Sequence, residues 1–173
     1  MTSGARIDWQ ELAEDIGVDP NSGGDRVARR ALAFLLGDDA VRAAVDWYVD
    51  GRPASEHARS VLRLLQPDAA RARCLEIYRG DPDADRRHLA VELLRVVATA
   101  EDLPLVAEFL ADADRVVQAW GIGVLDQLVF GDLVDADDAE PYLRVGEGHG
   151  NAFVREKCGE LREVLGRRGR GRG

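Results

Sequence analysis

An aliphatic residue followed three positions later by an aromatic one recurs along this chain. The copies are Val45 and Tyr48, Leu75 and Tyr78, Val106 and Phe109, and Ala139 and Tyr142, at spacings of 30, 31 and 33. A second series precedes each copy. Ala31, Phe34 and Leu35 are matched by Val61, Leu64 and Leu65, then by Ala90, Leu93 and Leu94, then by Ala119 and Ile122, with anchors 30, 29 and 29 apart. Cys158 and Leu161 form a last copy with no second helix behind it. Both series carry i, i+3, i+4 spacing, the apolar stripe of a helix with one buried face. Two registered series at a period near thirty are the mark of stacked helix pairs, each burying its apolar face only against its neighbours.

Helix breakers fall where such a scheme needs them. Asn21-Ser22-Gly23-Gly24 precedes the first helix, Gly37-Asp38-Asp39 divides the first pair and Gly51-Arg52-Pro53 closes it, with Ser55 a candidate N-cap. Gln66-Pro67-Asp68, Gly80-Asp81-Pro82, Glu101-Asp102-Leu103-Pro104, Gly131-Asp132 and the run from Gly146 to Gly150 punctuate the rest. The first (A) helices are therefore predicted at 25–36, 54–65, 84–98 and 114–129, and the second (B) helices at 39–50, 68–79, 103–111 and 136–144. A capping helix is expected near 8–17 and a terminal helix at 151–165. The fold class is all-α: a right-handed α-solenoid of about four helix pairs with an N-terminal capping helix and an unpaired C-terminal helix. Residues 1–165 form one domain, and 166–173 a disordered Gly/Arg tail. A helical bundle with coincidental spacing is the alternative.

At this level the chain resembles the HEAT-like repeat family, including its short bacterial members, over residues 24–165. Val154-Arg155-Glu156-Lys157-Cys158 with Leu161 is similar to the family's Val-Arg-x-x-Ala-x-x-x-Leu helix, with Leu161 one position early. Asp85-Arg86-Arg87 with Ala90, Leu93 and Leu94 is a looser copy, and the first two repeats lack the Val–Arg pair in register. The resemblance implies a binding scaffold and no particular chemistry.

Composition supports helices. Four Ser, two Thr and two Asn are too few hydroxyls and amides for a strand-and-turn protein. Lys157 is the one lysine among 23 basic residues, a bias that reads as a GC-rich bacterial genome. Net charge is −9, which disfavours a protein built to hold duplex nucleic acid. Cys74 and Cys158 sit at helical spacing among apolar residues, as buried free thiols do. The N-terminus has no apolar signal core, and no apolar run approaches the ~20 residues of a membrane span. A cytoplasmic protein without membrane contact is expected.

Catalytic signatures are weak. His57, His88 and His149 form no i, i+4 pair, and neither cysteine has zinc-ligand spacing. His57 and His88 read as solvated helix-surface residues. Gly146-Glu147-Gly148-His149-Gly150-Asn151 looks like an anion-binding loop, but no strand precedes it and Glu147 is in the way. It reads as an inter-repeat loop with Asn151 capping the last helix. Gly121 and Gly123 read as packing glycines beside Trp120, and Ser3, Ser22, Ser55 and Ser60 lie in no nucleophile elbow. No enzyme activity, cofactor or metal is expected. A HEAT-like DNA glycosylase could draw on Trp9, Trp47, Trp120, Asp46 and Asp126, but the charge is wrong for it.

Charge is uneven. No Lys or Arg lies between Arg115 and Arg144. Glu108 and Asp112 on the third B helix, with Asp132, Asp135, Asp137, Asp138 and Glu140 around the fourth, are the candidate partner-binding residues. The expectation is a non-enzymatic protein-interaction module, a scaffold or adaptor whose acidic B-helix face binds a basic protein. The alternatives are an immunity protein that covers a basic toxin such as a nuclease and, against the net charge, the repair glycosylase. Nucleic acid contact is expected only through the Arg/Gly tail.

Overall fold

The computed structural model describes residues 25–171, and these are helical with no strand among them. Helices α1 (Asp25–Leu36), α2 (Asp38–Val49), α3 (Ser55–Leu65), α4 (Asp68–Gly80) and α5 (Ala84–Val97) are followed by a 3₁₀ turn, Ala100–Asp102. Then come α6 (Leu105–Leu110), α7 (Arg115–Phe130), α8 (Ala136–Glu147) and α9 (Ala152–Gly171). The capping helix expected near 8–17 lies outside the described residues.

Helices pack on near neighbours in the chain. Among the odd-numbered helices α1 packs on α3, α3 on α5, α5 on α7 and α7 on α9; among the even-numbered, α2 packs on α4 and α6 on α8. The two sets join through α1–α2, α2–α3, α4–α5, α6–α7 and α8–α9. Between them runs one continuous core that includes Val45, Tyr48, Leu93, Leu94, Val106, Phe109, Ile122, Leu125, Leu143 and Leu161. Complete burial of such side chains contributes about 1.5–3 kcal/mol each, so the seam dominates the fold's stability.

The recurring aromatics of the even helices point into this seam. Tyr48, Tyr78 and Phe109 are buried and Tyr142 is half-buried. Tyr78 and Phe109 meet edge to face with ring centroids 5.0 Å apart, one pair of helices touching the next through the repeated position. Two glycines allow the closest approaches. A Cβ on Gly121 would lie 2.3 Å from Phe109 Cβ, and one on Gly146 would lie 2.2 Å from Cys158 Sγ.

Helix ends follow side-chain chemistry. Asp83 and Asp114 accept the amides of Asp85 and Val116 at 2.9 and 2.8 Å, and Asn151 Oδ1 accepts that of Phe153 at 3.1 Å. Asn151 thus caps the last helix, as its position suggests. Ser55 does not cap α3. It is the helix's first residue, preceded by Ala54 at φ +61°, and the turn is pinned by Trp47 Nε1 donating to the Pro53 carbonyl at 3.0 Å. The third even helix is shorter than predicted because Thr99 and Asp102 close a capping box around the 3₁₀ turn, with Pro104 before α6.

Two expectations fail. The odd-helix anchors are not all buried: Phe34, Leu35, Val61 and Leu64 are exposed, and α3 buries Leu62 and Leu65 instead. A one-residue slip turns a helix face by about 100°, so α3 meets its neighbours through Leu62 and turns Val61 and Leu64 outward. The Gly/Arg segment read as disordered from 166 continues α9 to Gly171. Arg168 Nη1 donates to the Val129 carbonyl at 2.6 Å and pairs with Asp132 at 2.8 Å, tying that turn to the end of α7.

Candidate functional site

The acidic residues singled out from sequence do not form one free patch. Glu108 accepts a bidentate pair from Arg79, at 2.8 and 3.0 Å. Asp112 accepts from the Tyr78 hydroxyl at 2.9 Å and, through its other oxygen, from the Asp114 amide at 2.8 Å. Asp132 is paired with Arg168. Asp135 caps α8 by accepting the amides of Asp137 and Asp138, both at 2.9 Å, and Asp138 reaches back to the Asp135 amide. Glu140 is held by Arg162 and Arg144, and these guanidiniums keep its carboxyl down at about 2. Only Asp137 presents a side chain that holds no partner among the described residues.

Part of the lysine- and arginine-free interval is therefore neutralised from elsewhere, while Asp135, Asp137 and Asp138 pair with no basic side chain among the described residues. Arg162 on α9 reaches both Glu140 and Glu147, and Arg168 supplies Asp132. Further along, Arg73 pairs with Asp46 at 2.8 Å and Arg42 Nη1 donates to Glu76 at 3.0 Å, so arginines tie α2 to α4 across the even-helix face. Arg86 joins α5 to Asp50 and Asp81. Such pairs are worth little singly at the surface, yet they occupy the carboxylates that a basic partner would need.

His57 is exposed. His88, read as solvated, is instead partly buried: its Nε2 lies 2.7 Å from Asp114, linking α5 to the start of α7. His149 shares Nε2 with the Leu110 carbonyl at 2.9 Å and takes the Asn151 amide on Nδ1 at 3.1 Å, which fixes the neutral tautomer protonated at Nε2. The glycine loop is thus closed by its own histidine. Both cysteines are buried and free, and burial pushes the Cys158 thiol up to about 11. Among the described residues no three His, Cys, Asp or Glu side chains converge as metal ligands.

A different surface gathers exposed apolar side chains and arginines. A groove of about 600 Å³ opens over the odd-numbered helices, where the C-terminal ends of α3, α5 and α7 converge at Gln66, Ala98 and Gly131. Leu64, Phe130 and Leu133 line it, and each is exposed although large and apolar. Arg29, Arg63 and Arg95 line it too, and among the described residues no Asp or Glu does. Three helix C-termini carry about −0.5 charge each and Glu92 stands beside Arg95, so among the described residues three guanidiniums leave the groove positive by only roughly 0.5 charge on a chain of net charge −9. Arg95 is held over the Trp120 ring, 5.1 Å from its centroid, with Glu92 at 3.8 Å and its Nε without a hydrogen-bond partner. Glu92 is itself occupied by the Tyr48 hydroxyl at 2.5 Å, and that bond adds to burial in raising the Tyr48 phenol's pKa.

Sequence reasoning missed this groove because it assigned Leu64 to the core. One signal was present. Phe130 and Leu133 flank the Gly131-Asp132 turn, where large apolar residues have no core to enter. Its lining is distributed over four helices and three turns, and no linear motif marks it. No helix is long and apolar enough to cross a membrane among the described residues. No protein-family model, curated protein or solved structure matches the chain.

Proposed function

We propose that this protein is a non-enzymatic protein-interaction module, a short HEAT-like α-solenoid whose contact surface is the groove over its odd-numbered helices. The solenoid reading is supported by packing confined to near neighbours in the chain and by the repeated aromatic position at Tyr78 and Phe109. The observation that carries the functional reading is the convergence of Leu64, Phe130 and Leu133 with Arg29, Arg63 and Arg95 on one concavity that has no carboxylate among its described residues. Apolar anchors ringed by arginine are the composition of an interface centre. The acidic even-helix face supports a basic-partner reading less, because six of its seven candidate residues are engaged by the protein's own groups. Two free buried thiols suit a reducing compartment.

Affinity capture from the source cells with three full-length baits tests this reading. Wild type and Asp137→Lys are expected to retain the same partner, and Leu64→Asp/Phe130→Asp to lose it. Loss with Asp137→Lys alone returns the site to the acidic face. Capture of DNA by the wild type at low salt, abolished by Arg63→Glu, replaces the protein partner with a nucleic acid.

A further inference from the structure

The odd-helix groove continues past Leu133, which also lines a second concavity of about 440 Å³ between the α7–α8 turn and the second half of α9. The two form one strip across α3, α5, α7 and α9, and its ends differ in sign. At the α3 end stand Arg29 and Arg63, which against the half-charge of the α3 C-terminus leave about +1.5. In the middle Arg95 is offset by Glu92 at 3.8 Å. At the far end Arg168 cancels Asp132, while Asp135, Asp137 and Asp138 outweigh the half-charge of the α8 N-terminus and leave about −2.5. Phe130 and Leu133 lie between, exposed and apolar, with Leu64 beside Arg63. A surface positive at one end, apolar in the middle and negative at the other is complementary to itself when turned end for end. We propose that two copies of this chain pair antiparallel through the strip, about a two-fold axis near Phe130.

Charge and size both favour a second copy. In the antiparallel arrangement Arg29 and Arg63 of each copy face Asp137 and its neighbours on the other, and the apolar side chains pack across the axis. The parallel arrangement sets like charges opposite each other, so the two ends fix orientation and register. Asp135 and Asp138 keep their charge while capping α8, and Asp137, exposed and without a partner among the described residues, is open to a guanidinium. Two chains of net charge −9 repel at long range, which further selects the pose that puts arginines on carboxylates. Helices packed about 8–10 Å apart carry the strip over roughly 24–30 Å from α3 to α9. That is about the breadth of the ~800 Å² patch each partner buries in a standard interface. The inference rests on the groove being a contact surface, and it adds the acidic concavity beyond Leu133 to that surface.

Sedimentation velocity of the full-length chain, an 18.9 kDa monomer, over a dilution series is the test. A dimer is expected at about 100 μM, above the micromolar limit of interfaces this size, and monomer on dilution. Arg63→Glu and Asp137→Lys, both at exposed positions, are each expected to raise the dissociation constant at least tenfold while far-ultraviolet circular dichroism of the fold persists. Mixed in equal amounts, the two variants are expected to pair again to within about threefold of wild type. In the mixed dimer the introduced carboxylate of one copy faces the introduced lysine of the other, and the second contact is native. Rescue by mixing is the signature of end-for-end pairing, which a general loss of structure does not give. Wild type that stays monomeric at that concentration overturns the proposal and leaves the interaction module standing. A dimer that neither variant weakens overturns it as well, as does a loss that mixing fails to restore. Asp137→Lys also separates the second copy from a foreign partner: it weakens the pairing, and below the pairing concentration it presents that partner the same groove as wild type.

Discussion

Replacing Gly121 by alanine and replacing Gly159 by alanine are the same chemical change on two helices, and the structure gives them opposite signs. Alanine in a helix interior is favoured over glycine by about 0.8–1 kcal/mol. Gly159 lies on the exposed side of α9 with nothing within 4 Å of the position a Cβ would take, so the full gain is available there. At Gly121 the new Cβ meets Phe109 Cβ at 2.3 Å, and the backbone carbonyl carbon of Phe109 stands 3.5 Å away. Phe109 is fully buried and locked edge to face with Tyr78, so it has no room to withdraw except by moving α6. Overpacking of this kind costs about 1–3 kcal/mol, and a 2.3 Å approach belongs in the upper half of that range. Subtracting the propensity gain leaves Gly121→Ala about 1–2 kcal/mol less stable than wild type. With roughly 2–4 °C per kcal/mol for a chain of this size, Tm falls by about 2–8 °C, whereas Gly159→Ala raises it by about 2–4 °C. Thermal unfolding followed by circular dichroism, with urea midpoints as a check on reversibility, reads both. Equal stability of wild type and Gly121→Ala refutes the close α6–α7 approach and with it the seam through Phe109.

Two further outcomes separate paired from unpaired acids. Asp135→Ala removes the α8 cap and lowers stability by about 1 kcal/mol in urea denaturation, while Asp137→Ala stays within about 0.5 kcal/mol of wild type. Glu140 has a folded pKa of about 2, depressed by Arg162 and Arg144 from 4.5, so its contribution is fully present above 4.5 and is lost as pH falls through 2. The urea midpoint of the wild type is therefore expected to drop across that window, and Arg162→Ala to flatten the drop. An unchanged acid limb in the variant removes the α8–α9 clamp.

Helix positions were legible because they depend on local chemistry. Gly37, Pro67 and Pro82 interrupt the periodicity at the turns, and α1 begins and ends where the apolar period does. The even-helix series was legible for the same reason: Val45, Tyr48, Val106 and Phe109 repeat at one face and are buried there. The odd-helix series was only half legible. Val61 and Leu62 are adjacent and both apolar, so composition cannot decide which faces the core, and the decision falls to the α2 and α5 surfaces that α3 packs against. The acidic interval misled for a related reason. Arg162 lies 22 residues from Glu140 and Arg168 lies 36 from Asp132, distances at which sequence carries no pairing signal. The Gly/Arg composition at 166–173 argues for disorder, and the anchoring of Arg168 on Val129 is a tertiary contact that composition does not express.

The proposed contact runs through the odd-helix groove and not through the acidic face. A captured partner, once purified, allows the direct measurement: its Kd for full-length wild type, Leu64→Asp/Phe130→Asp and Asp137→Lys, by titration calorimetry at one salt concentration. Asp137 is the right probe of the acidic face because reversing Asp135 would also remove the α8 cap. At least a tenfold loss, about 1.4 kcal/mol, is expected for the groove variant and less than a twofold change for Asp137→Lys. Wild-type affinity in the groove variant, or a loss confined to Asp137→Lys, contradicts it.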